Sequence, residues 1–232
     1  MDTTTFINSA VAEWADSNLV FVKVNGDGDS TTRFSFTDFA KSYGIRGYPT
    51  LILLKPDGEE IDRVFGTLDT TEFVTTFSDY IKGKNTLQDL LTRVEAEPSA
   101  EMFFKIGGKL SDRRRDEEAK VYLQKAYAAD STNAQGIAVQ SLMSLGMMAR
   151  GSKNYDEAVG YFQSIVDKYP GVPDIPDAEL SIAGCFRRKG DTATAIALFE
   201  KWLTKYPNNE SAPDIIDMVS RLKGASLDST KK

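Results

Sequence analysis

One thiol and no imidazole set the chemistry open to this chain. Cys185 is its single cysteine, and none of the 232 residues is a histidine. The commonest general base, proton shuttle and metal ligand is therefore missing, and one cysteine cannot form a disulfide or a CxxC pair within the chain. Cys185 stands in SIAGCFRRKG, with Ile182 three residues before it and Phe186 beside it. Arg187, Arg188 and Lys189 would lower the pKa of an exposed thiol. The apolar spacing argues instead for a buried cysteine that acts as a small hydrophobe. The run NGDGDSTT (25–32) alternates Asp27 and Asp29 in the manner of a calcium loop. Counted from Asp27, the sixth and twelfth places hold Thr32 and Asp38, where an EF-hand loop needs glycine and a bidentate glutamate, so a solvated turn is the better reading. A hydrolase built on carboxylates or a Ser-Lys pair stays formally open. No catalytic residue, metal or cofactor is expected from the sequence as it stands.

The composition, 41% hydrophobic and 27% charged, is that of a soluble globular chain long enough for one large domain or two ordinary ones. A net charge of −6 argues against nucleic acid or an anionic membrane surface as partner. No apolar run reaches the roughly 18 residues that span a bilayer. MDTTTFINSA has neither a basic stretch nor an apolar core, so it does not read as an export signal.

Two halves with different periods must position whatever chemistry exists. LVFVKVN (19–25) reads as a buried strand. A helix over 33–43 carries Phe36, Phe39, Ala40 and Tyr43 at helical spacing and ends at Gly44. Residues 51–65 form a hairpin about the turn Pro56-Asp57-Gly58. A helix over 69–82, capped by Asp69, turns Phe73, Phe77, Tyr80 and Ile81 inward. Beyond 84 the strand signal stops, and helical hairpins with short polar loops follow.

The second half repeats itself. EEAKVYLQKAYAADS, DEAVGYFQSIVDKYP and ATAIALFEKWLTKYP align without gaps, with Ala119, Ala158 and Ala195 each followed four residues later by Leu123, Phe162 and Phe199. A first helix precedes each: MFFKIGGKL, SLMSLGMMA and LSIAGCFRR. Small residues let two antiparallel helices approach, and the larger apolar residue fills the gap between hairpins. This pattern resembles the tetratricopeptide repeat (TPR) family, most closely at Leu145-Gly146, Ala158, Phe162 and Pro170. The third repeat has Ala183 where the small glycine usually sits, and the first, with Gly107 and Ala126, lacks the terminal proline. APDIIDMVSRLKG supplies Ile215, Ile216, Val219 and Leu222 as a capping helix.

The first half resembles the C-terminal two-thirds of a thioredoxin-like domain, most specifically at YGIRGYPTLILLKPDGEEI. That resemblance implies a cis peptide bond at Tyr48-Pro49. It also implies that MDTTTFINSAVAEWADS is the remainder of a helix whose beginning carries the CxxC pair. The family's strand before CxxC lies between the equivalents of 19–25 and 50–55. Three arrangements answer its absence: an upstream segment omitted from this chain, which the mid-helix start at a methionine favours, direct pairing of 19–25 with 50–55, or a strand supplied by another chain.

The fold class expected is thus α/β plus all-α: an incomplete thioredoxin-like domain (1–83), a helical linker (84–98), three TPR repeats (99–209), a capping helix (210–224) and a disordered tail (225–232). The resemblances imply two binding surfaces. Gly47, Tyr48, Pro49 and Thr50 would form a peptide-binding loop. The first helices of the repeats would line a groove with Glu101, Phe104, Gln140, Met143, Met147, Arg150, Asp177, Leu180 and Arg187. The bland alternative is a groove filled by the linker helix or by the thioredoxin-like domain itself. The function expected is a non-catalytic protein- or peptide-binding module, with no nucleic acid or membrane partner and with self-association through unpaired sheet edges as a further outcome. The competing reading is a fragment of a thiol-disulfide oxidoreductase whose repeats position substrate. The sequence shown would stay in the cytoplasm, whereas an upstream signal would send it to the periplasm or outside the cell.

Overall fold

The computed structural model describes residues 5–24 and 36–229, which form two compact units, 1–122 and 123–232. The acidic loop 25–32 considered above and residues 33–35 of the expected helix lie outside the described residues. In the first unit, α1 (Ser9–Asn18) is capped by Asn8, whose Oδ1 accepts the Ala10 N–H at 2.9 Å. After α2 (Phe36–Ser42) the chain turns at Gly44, with φ +60°, and enters the hairpin β1 (Thr50–Leu54) and β2 (Glu60–Phe65). The strands pair antiparallel from Thr50 opposite Phe65 to Leu54 opposite Glu60. The turn closes where Gly58, at φ +89°, donates its N–H to Lys55 O at 2.9 Å.

Helix α3 (Thr70–Ile81) begins with a full capping box, Asp69 accepting from the Glu72 N–H and Glu72 from the Asp69 N–H. Its inner face supplies Phe73, Phe77 and Tyr80 to a core shared with Val11 and Leu53. Phe73 sits at the centre, with ring centroids of Phe6, Phe21, Trp14 and Phe77 at 5.6, 5.9, 6.0 and 4.7 Å. Ile81 does not share this face. Tyr80 takes the inward place of the last turn, and Ile81 is left 44% exposed.

Residues 19–24 form no strand, residue 25 lies outside the described region, and the sheet has two strands, β1 and β2, among the described residues. Direct pairing of this run with β1 is therefore not adopted. An extended segment becomes a strand only through a ladder with a neighbour, and Val20 and Val22 remain 93% and 78% exposed while Phe21 stacks on Phe73.

The linker contains α4 (Leu87–Arg93), capped by Thr86, and packs against α5 (Ala100–Ser111), capped by Ser99. Below β2 lies a buried ion cluster. Asp62 is fully buried, and its Oδ1 accepts from the Arg63 N–H at 2.7 Å and from Arg113 Nη2 at 2.6 Å. Its Oδ2 accepts from the Leu87 N–H at 2.7 Å and from Lys109 Nζ at 2.9 Å. Glu60 pairs with Arg63 and, at 2.6 Å, with Arg113. The first compact unit runs through α5 into α6 (Asp116–Ala129).

In the second unit, α7 (Ile137–Gly151), α8 (Tyr155–Lys168), α9 (Ile175–Lys189), α10 (Thr192–Lys205) and α11 (Ala212–Ser229) follow one another with short turns. The repeat signature explains their packing. A Cβ built on Gly146 would meet the Phe162 ring at 2.5 Å, so only glycine lets that ring lie against α7. The next interhelical space is filled by Phe199 and Trp202, which pack with Ala183 and Ala195. The start of α7 is capped from a distance. Buried Asp130 accepts from the Ile137 N–H at 2.9 Å and the Ala138 N–H at 3.3 Å, while Asn133 Oδ1 accepts from Val139 at 3.0 Å. Helix α11 covers the last repeat with Ile215 and Val219. It runs on to Ser229, so residues 225–229 are helical where a tail was expected. Among the described residues, no helix is long and apolar enough to cross a membrane.

Candidate functional site: a proline loop and the outer faces of the repeat helices

The loop before β1 is built by its own backbone. Tyr48-Pro49 is cis. Thr50 Oγ1 donates to Gly47 O at 2.8 Å, and the Gly66 N–H donates to Pro49 O at 2.9 Å, tying the loop to the end of β2. A Cβ on Gly47 would stand 3.1 Å from the Phe65 ring, so glycine gives that ring its seat. Tyr48 is 66% exposed. Gly47, Tyr48, Pro49 and Thr50 therefore form one continuous feature of the first unit, with an aromatic ring presented outward.

The groove residues expected from the sequence divide between the units. Phe104, on α5 in the first unit, is half-buried one turn from exposed Glu101. The others belong to the second unit. On α7, Ile137, Val139, Leu142 and Leu145 are buried, while Gln140, Met143, Met147 and Arg150 run along the opposite side at spacings of three, four and three. Met147 is 47% exposed, Met143 is half-buried against the core, and Arg150 Nη2 donates to Met147 Sδ at 2.8 Å. On α9 the matching positions are exposed Asp177, half-buried Leu180 and exposed Arg187. Ala149 and Cys185 belong to one core cluster that joins the last turns of α7 and α9. Exposed Arg188, next to Arg187, is a member of this basic end that the expected groove set omits, although its place four residues after Gly184 and seven after Ser181 was visible in the sequence.

Cys185 is fully buried, and burial pushes its thiol up while Arg150 and Arg188 pull it down. A protonated, enclosed thiol is neither nucleophile nor metal ligand. Among the described residues no cluster of the ligating types could hold a metal ion. Two buried phenols titrate late. Burial raises Tyr80 far above its ordinary value, with Asp62 adding to the effect, and lifts Tyr169, whose hydroxyl donates to Ser131 O at 2.7 Å, to about 12. Above pH ~10 an unfolded chain releases phenolic protons that these two retain. The folded state then binds more protons, so stability falls as pH rises through that window. Phenolate absorbance is expected to show both tyrosines ionising only with alkaline unfolding. Full titration of all nine tyrosines in the folded protein would contradict their enclosure.

Residues 1–81 match the family model of the thioredoxin-like domain, and residues 110–173 and 145–210 match that of the tetratricopeptide repeat. No curated protein shows significant similarity to the chain. Among solved structures, the crystal structure of MamA is similar at 18% identity and a TM-score of 0.50, over 72% of this chain and 91% of that one. At that identity the likeness is one of fold. The chain carries a thioredoxin-like domain followed by tetratricopeptide repeats.

Proposed function

We propose that the chain is a protein-binding module whose main partner surface is the exposed stripe of α7 and α9, with the Gly47–Thr50 loop as a second peptide contact. The observation that carries this reading is Met147, 47% exposed on a helix whose other large apolar positions are mostly enclosed. With Met143 on the same helix and Leu180 on α9 it offers adaptable apolar side chains, a composition suited to an adaptable contact. Arg150 and Arg187 flank it and suit a carboxylate of an extended peptide or partner helix. Phe104 and Glu101 offer the equivalent pair on α5.

Met147→Glu separates the alternatives. A surface position changes stability by no more than about 0.5 kcal/mol, so the variant is expected to melt like the wild type while losing the peptides that a random library panned on the wild type enriches. A clear drop in melting temperature would mean that the protein itself fills this face. Enrichment of no peptide, or of peptides that bind the variant equally, would overturn the reading. The exposed Val20 and Val22 support a contact between copies as a further interaction. A mass fixed at 25.6 kDa over a wide concentration range would oppose that.

A further inference from the structure

The buried charged contacts of the first unit that join residues distant in sequence gather on one place, the last turn of α5 and the turn that follows it. Arg113 bridges Asp62 and Glu60, each at 2.6 Å. Arg63 Nη1 donates to Asp112 O at 3.1 Å. Lys109 reaches both Asp62 Oδ2 at 2.9 Å and the Tyr80 hydroxyl at 2.7 Å, with its ammonium 4.4 Å above the Tyr80 ring. A second set of contacts holds the stem of the proline loop. Arg46, the residue before Gly47, makes a two-pronged pair with Asp116 at 2.8 and 2.7 Å and donates to Ser111 Oγ at 2.9 Å. Arg114 Nη2 donates to Ile45 O at 3.2 Å, from a residue at φ +58°, a left-handed backbone that a side chain of this kind rarely adopts. A strained backbone persists only where its surroundings over-determine it.

We propose that this cluster and the Arg46 contacts act as a clasp that makes β1–β2, the Tyr48-Pro49 loop and α5 one rigid body, so that the thioredoxin-like half serves the first repeat as its N-terminal cap. Repeat helices bury their faces against neighbours, and a terminal one needs a cover that is not itself a repeat. Here α4 and the underside of β2 provide it, and the linker is held by the Leu87 N–H on Asp62. The loop thereby keeps a fixed attitude to Phe104 on α5 whether or not any partner is bound. This inference is independent of the partner surface assigned above.

Hydrogen exchange on the full chain, resolved by peptide, tests it. Arg46→Ala is expected to speed exchange about tenfold both in 45–51 and in 111–117. Helices α8 to α10 should be unchanged, and Arg46→Lys, which keeps the charge but not the planar fork, should fall between. Asp62→Asn should loosen 60–65, Leu87 and α5 together. Either variant loosening only its own side would overturn the clasp. If Asp62→Asn abolishes folding of the first unit, loss of protection through 50–111 with α8 to α10 still protected supports the proposal. Loss confined to 50–81 with α5 protected refutes it.

Discussion

Asp62→Ala is expected to destabilise the first unit by about 3–5 kcal/mol, the cost of removing one partner from a buried ion cluster. Four donors lose an acceptor, among them Lys109 and Arg113, whose side chains are 15% and 12% exposed and which keep only the Tyr80 hydroxyl and Glu60 as side-chain acceptors. Burial already holds the Lys109 ammonium below its ordinary pKa, with Asp62 as its largest opposing influence. Without that carboxylate, only the weaker attraction of Asp112 opposes the desolvation. The surface pair Lys55–Glu59, at 2.5 Å but largely exposed, is the control, and Glu59→Ala should change stability by less than about 1 kcal/mol. Urea unfolding followed by far-UV circular dichroism reads both. Because the chain forms two compact units, the Asp62 variant should shift only the part of the transition that belongs to the first. A shift no larger than that of Glu59→Ala would mean that the cluster is dispensable.

Phe162→Ala is expected to cost about 3–5 kcal/mol in the second unit, as for other fully buried aromatic side chains. The ring is fully buried and touches the backbone of α7 at Gly146. Gly146→Ala attacks the same contact from the other side. Its new methyl would overlap the ring at 2.5 Å, costing about 1–3 kcal/mol through overpacking despite alanine's better helix propensity. Combined with Phe162→Ala, that methyl enters the space the ring has left. The double variant should therefore lose less than the sum of the singles. Strict additivity would show that the two residues do not share the space.

Much of this was legible because it is local. Asp69 and Pro56-Asp57-Gly58 announce a cap and a turn within a few residues, and Gly146, Ala158 and Phe162 recur at a spacing that a helical hairpin imposes. The regularity of α7 also gave its outward stripe. What escaped the sequence is what depends on distant partners. Nothing beside Asp62 marks it as the centre of a cluster, since its partners Leu87, Lys109 and Arg113 lie 25, 47 and 51 residues away. Composition changes near 84, but composition does not show that α5 is bound to the strand side by charges. Val20, Val22 and Val24 have strand composition, and composition cannot supply the neighbour that makes a strand. Asp130 caps α7 from seven residues upstream, beyond the window in which caps are usually sought.

The partner surface is tested most directly by a hydrogen-exchange footprint of a library-selected peptide on the full chain. Protection is predicted along 140–151 and 177–188, with the backs of α8 and α10 unaffected. Protection confined to those backs, or to the 47–50 loop alone, would contradict the placement of binding on the α7 and α9 stripe.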